Sequence, residues 1–155
     1  MKQILTFLVI ALSFNLNAQT SQESAVKETI IKFFEAFHKQ DSIALKSMVT
    51  DDIILQSISK NNEGKTVLNK SEFNRFVTSI ASIPKERNFQ EKLTDFSIQV
   101  DGDMANAWTP YEFWIDNKFS HCGVNSFQLI RINSEWKIIY LVDTRRRDHC
   151  VPKKN

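Results

Sequence analysis

The chain has 155 residues, of which 20 are basic and 18 acidic, for a formal charge of +2. So even a balance gives no broad basic surface for a polyanion, and neither nucleic acid nor a membrane surface is expected as a partner. Only three glycines occur, and no glycine-rich phosphate-binding motif is among them.

Residues 1–18 read as a cleavable export signal. Lys2 supplies a short basic start, an apolar stretch runs from Ile4 to Leu16, and Leu16-Asn17-Ala18 ends on a small residue ahead of Gln19. A membrane-spanning helix needs about 20 apolar residues. This run is shorter, and Ser13, Asn15 and Asn17 weaken its end. No cysteine follows it directly, which argues against a lipid anchor. Cleavage after Ala18 leaves 137 residues, secreted or periplasmic, enough for one domain with a real core.

Within 23–39, Val26, Ile30, Phe33, Phe34 and Phe37 recur at helical spacing, with Glu28, Lys32 and Glu35 on the opposite side. Asp41 is placed to cap a short second helix through Met48. Ile53, Ile54, Leu55 and Ile58 mark a strand over 52–58, and Asn61 to Lys65 form a polar turn. Ser71, Phe73, Phe76, Val77 and Ile80 predict a third helix, stopped by Pro84.

Beyond this point the pattern is that of strands. One covers 93–100, and Asp101-Gly102 is a hairpin signal. A long strand runs on through Ile115, Asp116-Asn117 turns it, and Lys118–Ile132 returns. Asn133-Ser134 makes a third turn before a strand over Glu135–Thr144. Helices first and an antiparallel sheet second define an α+β class, and the absence of repeats or linkers makes 19–155 a single domain.

Cys122 and Cys150 remain after signal removal, and an oxidising compartment favours a disulfide between them. Two buried thiols or a metal pair are the alternatives. A structural zinc site needs four ligands, and only His121 and His149 stand beside these cysteines. No metal and no cofactor is expected.

Uninterrupted pairing from these turns puts Glu112 opposite His121, His121 opposite Arg146, Asn125 opposite Val142 and Phe127 opposite Tyr140. Cys122 then faces Arg145. Trp108, Glu112, Trp114, His121, Asn125, Phe127, Leu129, Trp136, Ile138 and Tyr140 share one face, which carries most large aromatics and is expected to cover the helices. Tyr111, Cys122 and Val124 fall on the other. Polar groups on a buried face need partners or water, so Glu112, His121, Asn125 and Tyr140 form either an internal network or the lining of a pocket. A bulge at Pro110 would exchange Tyr111 for Glu112, and both stay candidates. Arg146 shares the inner face with His121 and could meet a ligand anion.

The Phe33-Phe34-Glu35-Ala36-Phe37 helix, the following Asp41, and Met48 ahead of Asp51-Asp52 resemble the nuclear transport factor 2-like superfamily. Gly123 through Phe127-Gln128-Leu129-Ile130-Arg131, a short turn and Trp136-Lys137-Ile138 are similar to that superfamily's final hairpin. His121-Cys122-Gly123 and Thr144-Arg145-Arg146-Arg147 resemble its secreted bacterial, SnoaL-like or lumazine-binding-like branch. The resemblance covers nearly all of 23–148. It implies a cystatin-like cone, a curved sheet on a long helix, with a pocket at the wide end and a homodimer through the outer face. It implies no particular reaction.

Two functions follow as expectations. One is an exported module that binds an unknown small molecule, with Trp108, Trp114 and Tyr140 stacking on it and Glu112, His121 and Asn125 orienting it. The other is a lyase, isomerase or cyclase. There His121 works as acid or base, Glu112 orients it, and Tyr111 or Tyr140 steadies a developing enolate.

Overall fold

In the computed structural model, residues 2–150 are described, with side chains from residue 20 onward. The expected signal at 1–18 and its cleavage after Ala18 concern side chains outside the described ones. The first helix, α1 (Lys2–Lys39), is followed by α2 (Ser42–Ser47), β1 (Val49–Lys60), β2 (Thr66–Ser71) and α3 (Phe73–Ala81). Then come β3 (Phe89–Leu93), β4 (Ser97–Asp101), β5 (Met104–Ile115), β6 (Lys118–Ile132) and β7 (Glu135–Thr144).

The Asp41 cap is present: its Oδ1 accepts the backbone N–H groups of Ile43 and Ala44. The sheet runs β2-β1-β7-β6-β5-β3, with β4 also paired to β5. It is mixed, because β1 lies parallel to β7. Strand β2 was not visible in the sequence, and the expected strand at 93–100 divides into β3 and β4.

Helix α1 buries Val26, Ile30, Phe33, Phe34 and Phe37 against the inner face of this sheet, where Phe127, Leu129 and Ile138 are fully enclosed. The rings of Phe33 and Phe34 meet Phe127 edge-on at 6.5 and 6.1 Å.

The turns at 116–117 and 133–134 stand where expected, each with two positive-φ residues, as a two-residue hairpin loop with the twist of its strands requires. The first hairpin is displaced by one residue. Asp101 pairs with Met104, so the loop is Gly102-Asp103, and the positive φ falls on Gly102 as its first residue. That position in a type II′ turn is reserved for glycine.

Two bulges then break the expected register. Trp114 faces Phe119 but Phe113 faces His121, which leaves Ser120 as an extra residue in β6. Leu129 faces Ile138 but Gln128 faces Tyr140, which leaves Ile139 extra in β7. A one-residue slip exchanges the faces of a strand. In β5 the buried residues are therefore Ala105, Ala107, Thr109 and Tyr111, whereas Trp108 is 53% exposed on the outer face. In β7, Trp136 and Ile138 point inward before the bulge, and Leu141 and Asp143 after it. Asn125 thus opposes Asp143, Phe127 opposes Leu141, and Cys122 opposes Arg146.

Pro110 causes no bulge and pairs in register with Val124. Its carbonyl accepts the N–H of Thr94, so its missing N–H falls on the side where β3 has ended and β4 has not begun.

Candidate functional site

The bulges gather a polar cluster at one end of the inner face. Leu93, Tyr111 and Gly123 lie in one row, and Glu91, Phe113 and His121 in the next. Between these strands, α1 and α3 lies a cavity of about 600 Å³. Phe33, Phe34, Phe37, Phe76 and Phe113 wall it, and Glu91, Tyr111, His121, Asn125, Asp143 and Arg145 line its polar side.

Within that polar side the contacts are specific. Asn125 donates from Nδ2 to Glu91 Oε1 at 2.7 Å. Arg145 Nε donates to Asp143 Oδ2 at 2.7 Å. The Tyr111 hydroxyl donates toward Thr144 O at 3.0 Å and Asp143 Oδ2 at 3.3 Å. His121 stacks on Phe113 with ring centres 4.9 Å apart, and its Nδ1 lies 3.1 Å from Ser120 Oγ. Ser57 also lines the cavity, and its buried Oγ has no hydrogen-bond partner among the described residues.

Burial dominates the electrostatics. It pushes the Glu91 carboxyl up to about 7, with the neighbouring Asp143 charge adding to the effect and the Asn125 amide opposing it. The folded chain therefore takes up a proton there that the unfolded chain releases. This contribution to stability is complete below the ordinary value of 4.5 and is lost as pH rises through about 7. Burial raises the Tyr111 phenol, keeping it protonated, and lowers the His121 imidazole, with Arg145 adding to that lowering.

Of the residues singled out in the sequence, Tyr111, His121 and Asn125 meet in this cavity. Trp108, Glu112, Trp114, Tyr140 and Arg146 do not line it. Glu112 accepts a hydrogen bond from Trp114 Nε1 at 3.0 Å, and Lys92 sits over the Trp114 ring, all on the outer face. The Glu112–His121 pair therefore does not form: the Ser120 bulge places Phe113, not Glu112, opposite His121. Tyr140 turns outward at the Ile139 bulge, where its hydroxyl bonds Gln56. Arg146 is exposed and pairs through its backbone with Cys122.

Cys122 and Cys150 are joined in a disulfide, which removes the alternatives of free thiols and a metal pair. His38 is partly buried against Phe34 and Phe37, and its Nε2 accepts the backbone N–H of Glu91 at 2.9 Å.

Sequence reasoning missed Glu91, Asp143 and Arg145. A signal for Glu91 existed in the alternation of Phe89, Glu91 and Leu93, which point inward between exposed Gln90 and Lys92. Unbroken alternation along β7 puts Asp143 and Arg145 on the face opposite Trp136 and Ile138, and only the Ile139 bulge brings them in.

A helix-backed, curved sheet that leaves a cavity at one end is the nuclear transport factor 2-like, cystatin-like architecture. The model of the SnoaL-like domain matches residues 26–142, and the chain belongs to that family. Solved structures agree on the fold. A protein of unknown function from Mycobacterium tuberculosis aligns at TM-score 0.68 with 14% identity, over 90% of this chain and 80% of its own. A nuclear transport factor 2-like protein with a cystatin-like fold from Novosphingobium aromaticivorans aligns at 0.61 with 14% identity, over 91% and 90%. A proposed dehydratase of the nuclear transport factor 2-like family from Streptomyces avermitilis aligns at 0.63 with 17% identity, over 82% and 97%. No curated protein matches the chain.

Proposed function

We propose that this chain is an exported module that binds a small, largely apolar molecule in the cavity between α1, α3 and the inner face of the sheet. The observation that carries this reading is the cavity itself, about 600 Å³ with phenylalanine walls and one polar side. Its size and make-up suit a ligand held by apolar contact and oriented by a few polar groups. The export pattern of residues 1–18 supports the extracellular or periplasmic setting. A homodimer through the outer face is part of the proposal, supported by the exposure there of Ile54, Ile58, Trp108 and Ile130.

A second reading, a lyase, isomerase or cyclase, is favoured by the titratable groups gathered in the cavity. Glu91, Tyr111 and His121 then carry the acid–base work that the sequence assigned to His121 with Glu112. The Streptomyces avermitilis neighbour, a proposed dehydratase, adds weight to that class.

Native mass spectrometry of the protein purified from its source, joined to a thermal-shift screen of aromatic and apolar compounds, tests the leading reading. The expected result is a dimer carrying a bound small molecule, and at least one compound that raises the melting temperature by several degrees. An unliganded protein that no compound stabilises would contradict it.

A further inference from the structure

Cys122 points to the outer face of β6, opposite Glu112, yet it is only 5% exposed because the returning tail covers it. Its partner Cys150 is partly exposed, and every residue from Arg145 to His149 is exposed. Three backbone hydrogen bonds attach this tail. Arg145 N donates to Ile58 O, and Arg146 and Cys122 exchange a pair. Among the described residues no backbone hydrogen bond reaches positions 147–150, so past Arg146 the disulfide carries the attachment. His149 holds φ at 51°, a left-handed conformation that a non-glycine residue keeps only where its surroundings enforce it.

The same segment builds part of the polar side of the cavity. Arg145 lines it and holds Asp143, and the carbonyl just before it, that of Thr144, receives the Tyr111 hydroxyl. We propose that Cys122–Cys150 is a site of thiol–disulfide exchange in the folded protein, through which a dithiol releases the cavity wall at Arg145. This goes beyond small-molecule binding and holds whatever the cavity takes up.

A thiolate of the dithiol attacks Sγ of Cys150, the more exposed of the two sulfurs. The S–S bond breaks, its electron pair leaves on Sγ of Cys122, and that sulfur takes a proton. The dithiol's second thiolate then attacks the dithiol sulfur of the mixed disulfide and expels Cys150 as a thiolate, which is protonated in turn. Two electrons and two protons pass to the cysteines, and the dithiol ends as a disulfide. Arg146 and Arg147, both exposed within four residues of Cys150, favour the approach of an anionic thiolate. Once the bond is open, the three backbone hydrogen bonds do not offset the entropy lost in ordering residues 145–150. The tail lifts from β6, and Arg145 leaves the cavity wall with it.

Reduction of the folded protein by dithiothreitol at 25 °C tests this. Attack on the folded protein predicts a rate proportional to dithiothreitol concentration and changed less than about twofold by 1 M urea. A disulfide reached only through global unfolding would instead be reduced about tenfold faster in 1 M urea, and that result would overturn the proposal. NMR relaxation of the reduced protein, and of Cys150→Ser without reductant, supplies the second readout. Backbone order parameters of residues 146–150 are expected to fall from about 0.85 to below about 0.6, while those of β7 stay near 0.85. The His121 ring signals, which feel the Arg145 charge across the cavity, should shift in both samples. Unchanged order at 146–150, an unshifted His121, or a reduced protein that unfolds at 25 °C would each overturn the release of the wall.

Discussion

Replacing Gly123 by alanine is expected to destabilise the fold by about 3 kcal/mol or more, a lowering of the melting temperature by roughly 10 °C. A Cβ at this position would stand 1.8 Å from the carbonyl oxygen of Thr144 and 2.8 Å from Cε1 of Tyr111. The first obstacle is backbone and cannot rotate away. Nor is Thr144 free to retreat. Its carbonyl accepts from the Tyr111 hydroxyl, its Oγ1 accepts from Val124 N, and the next residue donates from N to Ile58 O. The end of β7 would have to move outward, breaking the Tyr111 contact and shifting Asp143 and Arg145 in the cavity wall. Urea unfolding measures the effect. A variant within about 0.5 kcal/mol of wild type would show that this close approach does not constrain the fold.

Loss of the disulfide is expected to cost a similar amount. Cys122 and Cys150 are 28 residues apart, and closing a loop of that size restricts the unfolded chain by about 3.5 kcal/mol. The bond holds the segment after β7 against β6, where Arg146 and Cys122 exchange backbone hydrogen bonds at 3.0 Å in both directions. Arg145 begins that segment. Cys150→Ser should therefore melt roughly 10 °C lower, and dithiothreitol should lower wild type to the same point without affecting the variant. A wild type indifferent to reduction would contradict this contribution.

Both effects centre on the end of β7, where sequence reasoning also failed. The helix bearing Phe33, Phe34 and Phe37, the Asp41 cap, the bounds of β6 and β7 and the two later hairpins were legible because each has a local cause. These are a 3.6-residue period, a side-chain acceptor and a turn that fixes its own register. The candidate site was legible only in part. Counting by twos from a turn assumes an unbroken ladder, and the extra residues Ser120 and Ile139 break it. Each shift exchanges inward and outward positions beyond it. Trp108, Glu112 and Trp114 consequently face outward, and Tyr111, Asp143 and Arg145 line the cavity. Pro110 is the residue whose chemistry advertises a bulge, yet proline is accommodated there by the gap between β3 and β4. Glu91 escaped for a different reason: a five-residue strand after the Pro84 turn has too few periods to stand out.

That the shifted register encloses an acidic group beside Asp143 is the claim on which the cavity's chemistry depends. A carbon-detected NMR titration of the glutamate side-chain carboxyls, with Glu91 assigned by the resonance lost in Glu91→Gln, tests it most directly. The account predicts a midpoint at about 7 for Glu91, well above the ordinary glutamate range near 4.3. A Glu91 midpoint inside that range would mean its carboxyl stands in bulk water and the arrangement of β3, β5 and β6 around the cavity is wrong.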